Sequence, residues 1–109
     1  MYLDYSKLKS GQTKQPVLRL KTLAGKELGV IPWVYNLTFE LNYSDVSSVE
    51  FDVPRHSNGK LNPMYRLLTS YKMLYTEQFG IYILQRPTTS GDGVSEVKHI
   101  TGYSLEQLF

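Results

Sequence analysis

A chain of 109 residues, 41% of them hydrophobic, has the size of one domain: enough for a core, yet small for an enzyme with its own substrate cleft. Twelve Lys and Arg against ten Asp and Glu leave a net charge of +2, without the clustered positive charge expected of a nucleic-acid binder. The absence of cysteine excludes disulfides and cysteine-based zinc sites. The apolar runs are too short for a membrane-spanning helix, and residues 1–7 lack the basic and apolar regions of a signal peptide.

In chain order, residues 1–15 are polar and lysine-containing and read as a flexible N-terminal segment around Ser10, Gly11, Gln12 and Thr13. Pro16 opens a strand over 17–23, with Leu18 and Leu20 on one face and Arg19 and Lys21 on the other. Ala24, Gly25 and Lys26 form a turn in which Gly25 is free to take a positive φ, and 27–31 returns as the second arm. Pro32 and Trp33 make a corner. From Leu37 to Ser44 the alternation is unbroken: Leu37, Phe39, Leu41 and Tyr43 against Thr38, Glu40, Asn42 and Ser44. Asp45 to Ser48 supply turn chemistry; then Val49, Phe51 and Val53 share a face opposite Glu50 and Asp52, until Pro54 removes a backbone donor. Two amphipathic strands joined by a polar turn predict a β-hairpin over a core.

Beyond Pro54, Asn58-Gly59 marks a turn in a polar loop, and Asn62-Pro63 has the form of a helix start. Met64, Leu67, Leu68 and Tyr71 follow at helical spacing, which predicts a helix of about two turns capping one end of the sheet. Residues 72–76 read as a strand and Glu77-Gln78 as its turn. The strand over 79–86 is apolar on both faces, with Phe79, Ile81 and Ile83 on one and Tyr82 and Leu84 on the other, so a central position is expected. Residues 87–93 are a polar, glycine-rich hairpin loop, and 94–103 the last strand. The predicted core unites Phe39, Leu41, Phe51, Val53, Ile81 and Ile83. Ser104 and Gln107 match a capping box, with Leu105, Leu108 and Phe109 as the apolar beginning of a helix cut short by the end of the sequence. The sum is a mostly-β domain over residues 16–109: a small β-barrel or sandwich built from hairpins, with one short internal helix and a truncated C-terminal helix. It reads as a fragment of a longer protein.

Few residues invite chemistry. Gly102-Tyr103-Ser104 carries half of a nucleophile elbow but lacks the second glycine, and a helix cap accounts for Ser104. Glu50 and Asp52 lie two apart on one strand face; acid–base work would need one of them desolvated, and a solvated strand face is the simpler expectation. His56 falls in a loop and His99 in a strand, neither at ligand spacing from another His, Asp or Glu, so no metal, cofactor or catalytic residue is expected. The sequons at Asn36 and Asn42 lie in or beside a strand and read as chance. The aromatic residues fall mostly on apolar faces and the basic ones are dispersed, which argues against sequence-specific or stacking-based nucleic-acid binding. A carbohydrate-binding or adhesin-like β module is the alternative, with Trp33, Tyr35 and Tyr82 as its contact residues.

The order of these elements resembles a family. A hairpin near the N-terminus leads to Val49-Glu50-Phe51-Asp52-Val53-Pro54, then a short helix and an aromatic strand. The strand from Phe79 to Arg86, a polar loop and a closing Gly102-Tyr103-Ser104-Leu105-Glu106 complete it. Over residues 16–109 this resembles the N-terminal domain of the tail-tip, baseplate hub-like proteins of long-tailed bacteriophages and prophages. The resemblance implies a virion structural protein, not an enzyme, forming a ring at the end of the phage tail. It implies a homo-oligomer, trimeric in the full-length protein, with the distal tail ring protein and the tape measure as further partners. Assembly would take place in the bacterial host cytoplasm, away from membranes.

Overall fold

The computed structural model describes residues 2–4, 16–41, 47–77 and 79–104. Most of these lie in strands and few in helical turns, so the expectation of a mostly-β domain holds. In chain order the strands are β1 (Tyr2–Asp4), β2 (Arg19–Lys21), β3 (Glu27–Val30), β4 (Tyr35–Glu40), β5 (Ser48–Pro54) and β6 (His56–Ser57). They continue with β7 (Lys60–Leu61), β8 (Met73–Thr76), β9 (Gly80–Leu84), β10 (Thr88–Ser90) and β11 (Val97–Ser104). Nine of them form one antiparallel sheet in the order β1-β4-β5-β11-β9-β8-β2-β3, with β10 added to β11; β6 and β7 pair apart.

The hairpin of β4 and β5 forms as its alternation requires. Leu37 and Phe39 point inward with Val49, Phe51 and Val53, all fully buried, while Glu40 and Glu50 stay in water. Their register shifts between Tyr35 and Thr38, where Asn36 takes φ 55°. Asparagine tolerates this left-handed region better than most residues, and a bulge uses it. Gly25 has the positive φ expected of its turn, 91°, and Asn58 and Gly59 at 51° and 78° give the paired positive angles of a type I′ hairpin between β6 and β7.

The core closes through the sheet's curl. Phe39 on β4 lies 4.4 Å, ring centroid to centroid, from Phe79 and 5.8 Å from Tyr82 on β9, although β5 and β11 lie between them in the sheet. Three strand spacings in a flat sheet would separate β4 from β9 by about 14 Å. The sheet therefore wraps around its own contents, as in a small barrel. Among the described residues its end strands, β1 and β3, are not paired with each other. Gly102 lies where β11 crosses the interior: a Cβ there would come within 3.2 Å of Leu84 and Val49, so a bare backbone is what lets these side chains meet.

Several expectations need correction. Tyr2–Asp4, placed in a flexible segment, is a strand against β4; residues 5–15 lie outside the described residues. The internal helix is a single 3₁₀ turn, Tyr65–Leu67, and Tyr71 sits outside it, exposed, with φ 65°. Strand β9 is central, between β11 and β8, but its buried face carries Tyr82 and Leu84. Ile81 and Ile83 are half-exposed on the outside, and Leu41 packs only partly against the core. Thr88–Ser90, expected within a loop, pairs with Val97–His99. Ser104 ends β11, its N–H donating to the Ser47 carbonyl at 2.8 Å; residues 105–109, where the C-terminal helix was expected, lie outside the described residues.

Candidate functional site

A concave surface lies where the 3₁₀ turn meets β11. Asn62, only 2% exposed, is its fixed point. Its Oδ1 accepts the Met64 N–H at 2.9 Å, and its Nδ2 donates to the carbonyls of Pro54 at 3.3 Å and Pro32 at 3.5 Å. Its own N–H donates to the Arg55 carbonyl at 2.8 Å, and the Arg55 N–H to the Glu96 carbonyl at 2.9 Å. This lattice ties the β5 end, the β6–β7 hairpin and the 3₁₀ turn to β11. The sequence placed Asn62 as a helix cap; the side chain does accept from the backbone two residues on, an Asx turn, but no α-helix follows.

Lys98 fastens the turn to β11. On an inward position of β11, its Nζ donates to the carbonyls of Tyr65 at 2.7 Å and Leu68 at 3.2 Å and lies 4.3 Å from the Tyr65 ring centroid. The Tyr65 carbonyl also accepts the Leu68 N–H at 3.3 Å, so the lysine adds a second donor there and another at Leu68, just past the turn. The Tyr65 hydroxyl donates to Glu96 Oε2 at 2.5 Å. Burial, reinforced by the hydrogen bond and charge of Glu96, pushes the Tyr65 phenol far above its usual range, with the Arg55 guanidinium opposing. Burial lowers the Lys98 ammonium below the usual lysine value, and the Glu96 carboxylate counters it.

Arg55, Leu61, Pro63, Arg66 and the Tyr65–Glu96–Lys98 group line a cleft of about 690 Å³. One Glu96 oxygen is held by Tyr65 and the Lys98 amine by two carbonyls. Among the described residues the guanidinium groups of Arg55 and Arg66 have no hydrogen-bonding or ion-pair partner. None of these residues was singled out as a site by sequence reasoning, because the cluster joins positions about 30 to 40 residues apart through a sheet pairing.

The residues that were singled out fall elsewhere. On the outer face of the sheet Asp52 lies opposite His99, with Oδ1 2.7 Å from His99 Nδ1 and Oδ2 accepting Asn36 Nδ2 at 2.8 Å. Sequence spacing, which separates His99 from Asp52 by 47 positions, concealed this pair. A carboxylate holding an imidazole is a frequent arrangement for a general base. Among the described residues, however, no hydroxyl or thiol is hydrogen-bonded to the other ring nitrogen, so a nucleophile is missing. Glu50 is exposed between Thr38 and Thr101 on the neighbouring strands. His56 sits on β6, apart from both carboxylates, and Ser104 is in a strand. No group of three or more His, Cys, Asp or Glu among the described residues is arranged to hold a metal ion. Of the aromatic residues considered for carbohydrate contact, Tyr82 is fully buried and Trp33 and Tyr35 are half-buried. No helix among the described residues is long and apolar enough to cross a membrane.

No protein-family model, curated protein or solved structure matches the chain.

Proposed function

We propose that this chain is an assembly module, a virion structural domain of the tail-tip or baseplate-hub kind, whose work is to hold copies of itself and neighbouring tail proteins. The observation that carries this reading is the β2–β3 hairpin. It forms one end of the sheet, where β3 has a single strand neighbour among the described residues, and it presents Leu23 and Val30 at 59% and 45% exposure, with Val17 just before it at 54%. A sheet end combining an open backbone edge with large apolar side chains is a surface suited to another chain. The curled, barrel-like sheet agrees with the small barrels from which the resembled hubs build their rings. On this reading the full-length protein is a trimer, contacts the distal tail ring protein and the tape measure, and resides in the virion after assembly in the host cytoplasm. The carbohydrate-binding alternative loses ground because Tyr82 belongs to the core. Native mass spectrometry of the full-length protein tests the proposal: a closed trimer is expected, and a strictly monomeric protein that binds a cell-surface glycan contradicts it.

A further inference from the structure

We propose that the cleft between the 3₁₀ turn and β11 is a binding site for a carboxylate carried on an apolar body, with Arg55 and Arg66 as its anion-holding residues. This inference stands independently of the assembly reading. Three observations lead to it.

The first is that the cleft holds unused charge. Its Lys98 and Glu96 are engaged within the fold, by backbone carbonyls and by Tyr65, whereas both guanidinium groups have no partner among the described residues. A guanidinium offers five donors in a planar fork that matches a carboxylate in two parallel bonds.

The second is that the mounts are rigid. The Arg55 carbonyl and N–H are both hydrogen-bonded, to Asn62 and Glu96, and Arg66 belongs to the turn fastened by Lys98. A ligand would find these positions already ordered, so less conformational freedom is lost on binding.

The third is the remaining wall. Leu61, exposed on β7, together with Pro63 and the Tyr65 ring gives the cleft an apolar side, and its volume of about 690 Å³ is that of a small-molecule site. The apolar side favours an anion carried on an apolar body over inorganic phosphate, which would leave that side in contact with water.

Two sources share this chemistry: a small free carboxylic acid, and the acidic end or side chain of a peptide. Titration of the isotope-labelled 109-residue chain followed by amide chemical shifts tests both. The probes are N-acetyl-leucine, N-acetyl-leucine amide, inorganic phosphate, and a short peptide ending in leucine with a free carboxylate. Saturable shifts at Arg55, Asn62, Arg66 and Glu96 are expected with N-acetyl-leucine and not with its amide, and they weaken as salt is added. A peptide that binds at least tenfold more tightly than N-acetyl-leucine identifies a chain terminus as the source; equal affinity identifies the small acid. Arg66→Gln, at an exposed position, is expected to weaken binding about tenfold while leaving the rest of the spectrum unchanged. Arg55→Gln provides the second variant. Equal binding of the amide, tighter binding of phosphate, no saturable shift with any probe, or affinity unchanged in both variants would each overturn the proposal.

Discussion

Lys98 and Tyr65 are joined twice: the lysine amine donates to the tyrosine carbonyl at 2.7 Å and lies 4.3 Å from the centroid of the same residue's ring. One side chain of β11 thereby closes the 3₁₀ turn and fills the space beneath it. Its removal leaves the buried Leu68 carbonyl without the lysine donor and the Tyr65 carbonyl with a weaker set of partners. Lys98→Met retains much of the stem but none of the donors, and is expected to cost about 2–4 kcal/mol in urea unfolding. A loss below about 0.5 kcal/mol would mean that water replaces the amine freely.

The Tyr65 phenol gives the fold an alkaline sensitivity of known sign. Its folded pKa is raised above the unfolded value near 10, so its contribution is fully present below that value and lost as pH rises toward the folded one. Lys98 acts in the opposite sense. Its folded pKa is lowered, so the folded chain releases its proton before the unfolded chain does, and stability gains as pH rises through that window. Tyr65→Phe removes the first effect and keeps the second. Between about pH 9 and 11 the wild-type chain is expected to lose stability more steeply than the variant. Parallel pH dependences in urea unfolding would show that the phenol does not titrate differently in the two states.

The two faces of β9 can be told apart by truncation. Phe51→Ala on the inner face of β5 is expected to cost about 3–5 kcal/mol, and Tyr82→Ala a similar amount, since both side chains are fully buried. Ile83→Ala, at a half-exposed position, is expected to cost less than about 1.5 kcal/mol. Thermal unfolding of the three variants checks this. An Ile83 penalty equal to that of Phe51 would place a second buried layer outside the sheet.

How far the sequence could be read follows from the same residues. Where polar and apolar positions alternate strictly, as in β4 and β5, the face that is buried is legible, and Leu37, Phe39, Val49, Phe51 and Val53 all lie where their spacing puts them. The turns at Gly25 and Asn58-Gly59 were legible because a positive φ favours those residue types. Strand β9 carries apolar residues on both faces, so periodicity could not choose between Ile81 and Tyr82. The choice comes from the register that sets Tyr82 opposite Leu74 on β8. The apolar spacing from Met64 to Tyr71 mimicked a helix because nothing local shows that Lys98, some thirty residues away, takes the turn's carbonyls. The cleft and the Asp52–His99 pair were illegible for one reason. Both are products of β5 pairing with β11, a contact of long sequence separation that no short motif encodes.

Association of the domain through its open sheet end can be measured by sedimentation velocity on the 109-residue chain across a wide range of concentration. The comparison is a variant carrying Leu23→Lys and Val30→Lys on the β2–β3 hairpin, two exposed positions whose substitution leaves the core untouched. The sedimentation coefficient is expected to rise with concentration for the wild-type chain and to stay at the monomer value for the variant. A wild-type chain that remains monomeric throughout, or a variant that associates as strongly, would contradict it.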